Sequence, residues 1–125
     1  MNVSRGFMVM GPLYLAVGLC IGMYMGASND HTFLPVHAHL NLLGFTLMMI
    51  FGLSYHLLPE AGGSGLARLH FWLHQVGVLV LMVMITLLFA GKISETAMFP
   101  IAPLAEVAIL AGVLIFALNM ARHAR

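Results

Sequence analysis

Apolar positions in this chain do not alternate and do not form narrow amphipathic stripes. They fall into four continuous runs, at about residues 7–26, 34–58, 69–90 and 100–120, each long enough to cross a bilayer as a helix. The first, from Phe7 to Gly26, is longer than a signal-peptide core and has no small-residue cleavage site behind it, so it is expected to remain as a span. Pro35 enters the second run at a position where a helix has no acceptor for that nitrogen anyway. Pro59 and the Ala61-Gly62-Gly63-Ser64-Gly65 segment stop it. Gly91-Lys92-Ile93-Ser94-Glu95 joins the last two runs, and Pro103 falls in the opening turns of the fourth.

Composition turns this pattern into a class. With 62% hydrophobic and 7% charged residues and a mean hydropathy of +1.02, the chain reads as an integral membrane protein. A chain this short cannot close a barrel, and lipid offers no partner to open backbone, so the spans are expected to be helices. The expected fold is an all-α four-helix membrane bundle forming one domain over residues 1–125. Arg5, Arg68, Arg122 and Arg125 lie on one side of such a bundle and only Lys92 on the other. Both termini are therefore expected in the cytoplasm, and the protein in a bacterial or archaeal-type inner (cytoplasmic) membrane as a multi-pass chain. A net charge of +1 gives no footing for nucleic acid.

The candidate chemistry is histidine. There are seven, and His37-Ala38-His39 heads the second span, where an imidazole is costly without a partner. Residues two apart on an α-helix are rotated by roughly 200°, so His37 and His39 point to opposite flanks and serve separate sites. His70 and His74, four apart, share a face, as two ligands of one metal must. His56 could join them across the turn at Pro59. This group is expected at the cytoplasmic end, since His39 and His56 lie about 25 Å apart along a helix.

His70 also stands beside Arg68 and Trp72, in the surroundings of an interfacial anchor. His31 and His123 are expected to meet solvent or headgroups. Glu106, inside the fourth span, costs about 2 to 3 kcal/mol if it faces lipid charged, so it should face the interior or be protonated. It could accept from a ligand histidine, with Asn41 a further supporting group. Cys20 is the single cysteine and is expected to be a small core residue; the eleven methionines are scattered and read as packing. Gly18-x-x-x-Gly22-x-x-x-Gly26 marks a close-packing face on the first span.

The stretch Pro35-Val36-His37-Ala38-His39-Leu40-Asn41-Leu42-Leu43-Gly44-Phe45, continuing from Phe51-Gly52-Leu53-Ser54-Tyr55-His56 to Leu57-Leu58-Pro59, resembles a transmembrane helix of the catalytic subunit of haem-copper oxidases. It is most similar to the nitric oxide reductase and cbb3-type branches. The resemblance covers about 25 residues and implies that His39 is an axial ligand of a low-spin b-type haem near the outer face. The family's His-x-His pair, one histidine to each of two haems, implies a second haem iron for His37. That family builds its large subunit from three related four-helix arcs, so the chain looks like a single-repeat relative that assembles with copies of itself. The family's copper-site histidines have no counterpart here.

A haem bound by two histidines needs ligands from opposite faces, and one copy supplies one His39. The leading expectation is therefore an oligomeric (dimeric or trimeric) haem b protein, with possible copper, engaged in electron transfer with a redox partner or in gas or haem handling. A second reading takes His56, His70 and His74 as a copper or zinc site for binding or transport. A third makes the chain a structural accessory subunit of a respiratory complex.

Overall fold

The computed structural model describes residues 1–124; Arg125, counted in the charge asymmetry above, lies outside the described residues. Among the described residues four helices are long and apolar enough to span a membrane: α1 (Val3–Ser28), α2 (Leu34–Leu57), α3 (Gly65–Phe89) and α4 (Ile101–His123). The four runs are thus spans as expected, with α1, α3 and α4 reaching a few residues beyond the hydrophobic runs. The N-terminal extensions of α1 and α3 follow from capping. Asn2 accepts from Arg5 N at 2.9 Å and Ser64 from Ala67 N at 3.1 Å, so α1 and α3 start on side-chain caps placed ahead of the hydrophobic residues. At its other end α1 stops at Asn29, which adopts the left-handed conformation (φ 55°) that ends helices.

The two connections at opposite ends of the bundle differ in character. At the end that carries both termini, α2 passes into α3 through a single helical turn, Pro59–Gly62. Asn119 of α4 fastens this turn, donating to Ala61 O at 3.1 Å while its Oδ1 accepts from Ser64 Oγ at 3.2 Å. Its side chain is fully buried. Asn119→Ala removes both bonds from α4 to the turn, while Ala61 O and Ser64 Oγ keep the bond to each other, and is expected to lower stability by about 1 kcal/mol, read as an earlier unfolding midpoint in detergent.

At the far end, the carboxylate of Asp30 accepts from the hydroxyl and the amide of Thr32, which holds its pKa below the usual carboxylate value, the hydroxyl bond contributing most. The turn gains from this at neutral pH, and the gain is lost as pH falls through the lowered pKa.

Helices α1 and α2 pack along their length through glycines on both sides. A Cβ on Gly44 would lie 2.6 Å from Tyr14 Cβ, and one on Gly52 would lie 2.7 Å from Met8 Cγ. Helices α3 and α4 form the second close pair, with Gly77 against Ile109. Helix α3 is the most enclosed of the four spans. Many exposed residues of α1 and α4 are large and apolar, including Leu13, Val17, Leu110 and Leu114, as a lipid-facing surface requires.

Helix α2 is not a uniform α-helix. Leu34–His39 is α-helical, Leu40–Thr46 is a π-helix and Leu47–Leu57 is α-helical again. A π segment that reverts to α-helix leaves a carbonyl without its intrahelical amide, and such segments gather at functional sites. Here the carbonyl of Leu43 is taken by His74 Nε2 of α3 at 3.0 Å, and that of Asn41 accepts from Thr46 Oγ1 at 3.0 Å.

Candidate functional site

His37 and His39 occupy the stretch of α2 just before the π segment and, as their spacing requires, turn to different sides. His37 faces α1, where its Nδ1 donates to Gly18 O at 2.7 Å and a Cβ on Gly22 would meet its ring at 2.9 Å. With the proton on Nδ1, its Nε2 is a lone pair that accepts from Asn41 Nδ2 at 3.2 Å. Both ring nitrogens are used within the chain, and the residue ties α2 to α1. Two of the three glycines in the α1 motif, Gly18 and Gly22, are small because Asn41 and His37 lie over them. Gly26 meets nothing.

His39 differs. Its one hydrogen bond among the described residues runs from Nδ1 to Pro35 O at 2.6 Å, one turn back on the same helix. A carbonyl only accepts, so the proton sits on Nδ1 and Nε2 remains a lone pair on a half-buried ring. A ring oriented through Nδ1–H to a backbone carbonyl, with Nε2 free, has the arrangement of a histidine that ligates a metal.

The second histidine group is not where the sequence pattern places it. Because α3 starts at Gly65, His70 lies more than a turn inside the helix and is 0% exposed, a core residue and not an interfacial anchor. His74, also 0% exposed, reaches Leu43 and so lies about one turn from the depth of His39, not at the terminal end of the bundle. His70 Nδ1 is 2.9 Å from Tyr55 Oη. Aromatic rings of Phe7, Phe51, Tyr55 and Phe116 surround it. Each imidazole keeps one buried nitrogen without a partner, Nε2 of His70 and Nδ1 of His74.

His56 does not join them. Its neighbour Tyr55 takes the inward position, and His56, one residue on, is exposed. Among the described residues no three histidine, cysteine, aspartate or glutamate side chains converge as a metal site. Glu106 is likewise exposed, on the side of α4 turned from the α3 contact made by Ala102, Ala105 and Ile109, so it does not face the interior and supports no histidine of its own chain. Asn41 supports His37, one turn away, and not His39. Cys20 is exposed on α1 rather than part of the core. His31 is exposed as expected, whereas His123 is half-buried, donating to Asn119 O at 2.9 Å.

Tyr55 is the site residue that pattern reading passed over. It continues the inward stripe Met48, Phe51, Tyr55 of α2, all buried, and that helical spacing was the available signal.

No protein-family model, curated protein or solved structure matches this chain.

Proposed function

We propose that the protein is an oligomeric haem b-binding protein of a cytoplasmic membrane, with both termini inside and His39 Nε2 as an axial ligand. One observation carries the reading: His39 is held in the ligating tautomer by Pro35 O, with no bond to its other nitrogen among the described residues. That donor suits haem iron, which proteins hold most simply through a neutral imidazole. A bound haem b would supply reversible one-electron transfer, and the chain's part is to fix the ring and keep water away from it.

A second axial ligand comes from a second copy. His37 has both nitrogens committed, and His74, though near in depth, is fully enclosed with its Nε2 on Leu43 O. The exposed carboxyl of Glu106 supports association as well. It lies five residues into α4, as His39 lies five residues into α2 from the same end of the bundle. Charged and facing lipid it would cost about 2.5 kcal/mol or more, a cost that a neighbouring chain covering it removes. Arg5, Arg68 and Arg122 against Lys92 support termini inside.

A reduced-minus-oxidised absorption spectrum of the purified protein, with haem extracted and quantified, tests the reading. An α-band with close to stoichiometric protohaem is expected; colourless protein free of porphyrin after expression with ample haem would overturn it. Carbon monoxide is expected to leave the spectrum unchanged if both axial positions carry histidine.

A further inference from the structure

His70 and His74 form a second site that the haem reading does not use. They lie one turn apart on the inner face of α3, both 0% exposed, with ring centroids 6.0 Å apart. His74 Nε2 must carry the proton, because it bonds to the carbonyl of Leu43, so Nδ1 is a lone pair. His70 Nδ1 faces the phenol oxygen of Tyr55; donating there leaves Nε2 as the matching lone pair. Among the described residues these two nitrogens are the buried ring atoms without partners. A ring N–H on a carbonyl or hydroxyl, with the other nitrogen bare, is how ligating histidines are set. Two imidazoles sharing one ion through bonds of about 2.0–2.1 Å place their centroids roughly 5–6.5 Å apart, and this pair falls in that range.

The surroundings select the ion. Phe7, Phe51 and Phe116 enclose the pair, and Phe51 stands nearly perpendicular to both imidazoles at 4.5 and 5.2 Å. Among the described residues no carboxylate or thiolate converges on the pair to offset charge. A divalent ion held by two neutral rings would keep its full charge in an apolar interior, and the desolvation cost grows with the square of the charge. A soft monovalent ion content with two nitrogen ligands and aromatic neighbours meets a far smaller cost.

We propose that His70 Nε2 and His74 Nδ1 bind one monovalent soft metal ion, Cu(I), in the middle of the bundle. Its way in is a cavity of about 560 Å³ at the terminal end, lined by Met1, Ser4, Tyr55 and His56 among others. Tyr55 is both a lining residue of that cavity and the partner of His70, its hydroxyl 2.9 Å from His70 Nδ1, and so links the cavity to the pair.

The test is anaerobic titration of the purified full-length protein with Cu(I) held by a chromophoric chelator. About one Cu(I) per chain is expected to leave the chelator, with affinity lowered at least ten-fold in His70→Gln and in His74→Gln and unchanged in His31→Gln. Zn(II) is expected not to compete. Should either core variant fail to fold, X-ray absorption of the copper-loaded wild-type protein decides, with two nitrogen scatterers and no sulfur expected. No uptake, uptake that survives loss of both histidines, sulfur ligation, or equal binding of Zn(II) would each overturn the proposal. Because haem content is read separately by its α-band, failure here leaves the His39 reading standing, and the converse also holds.

Discussion

His39→Ala is expected to yield protein that folds and spans the membrane but carries at least ten-fold less haem per chain. Among the described residues the ring's only hydrogen bond is to Pro35 O on its own helix, so its removal breaks no hydrogen bond between helices. The carbonyl left behind lies in the first turn of α2, on a half-buried flank. Stability should change by less than about 1 kcal/mol, while the iron loses its donor. His37→Ala should behave in the opposite way. It removes the bond to Gly18 O and strands the Asn41 amide between two helices, with an expected loss of about 1–3 kcal/mol but little change in haem per folded chain. Protohaem content and the detergent melting midpoint, measured together on both variants, separate the two roles. Haem retained in His39→Ala and lost in His37→Ala would reverse the assignment.

A clear loss of stability is also expected from Gly44→Ala. A Cβ there would lie 2.6, 2.7 and 2.9 Å from Tyr14 Cβ, Cγ and Cδ1. The first two atoms are close to the α1 backbone and cannot swing away, so α1 and α2 must separate. Overpacking of this kind costs about 1–3 kcal/mol, and the helix-propensity gain of alanine over glycine, up to about 1 kcal/mol, offsets only part of it. Gly26→Ala, where a Cβ meets nothing, is the matched control and is expected to be neutral or slightly stabilising. The pair can be compared by the denaturing-detergent fraction at which each chain loses its fold; equal midpoints would show that the helices are not held this closely.

Much of the architecture was written in the chain. Twenty-residue apolar runs broken by Pro59, Gly62-Gly63 and Gly91-Lys92 leave little choice but four helices, because the bilayer penalises every other backbone arrangement. The divergence of His37 and His39 was legible too, since it follows from helical rotation alone. Burial was harder to read. His70 sits in sequence between Arg68 and Trp72, which are both exposed, yet it lies on the buried face of α3 with Ala67, Phe71 and His74. Glu106 and Cys20 were misplaced for a related reason: a helix that is apolar on every side carries no stripe to say which face meets protein. The π segment leaves no mark in composition, and with it the carbonyl that receives His74 was hidden.

That segment also sets the angular phase of α2. Each seven-residue π stretch holds about one residue more than an α-helix of the same rise, so the turns on either side are offset by roughly 100°. The half that carries Phe51 and Tyr55 can aim them at α3 while the half that carries His37 aims it at α1 and leaves His39 outside. Shortening Leu40–Thr46 by one residue would restore an unbroken α-helix and swing the outer histidines around the axis like a misindexed gear. His37 would leave Gly18 and Leu43 would no longer offer its carbonyl to His74, so a single deletion at a position that touches neither imidazole would uncouple both histidine sites at once.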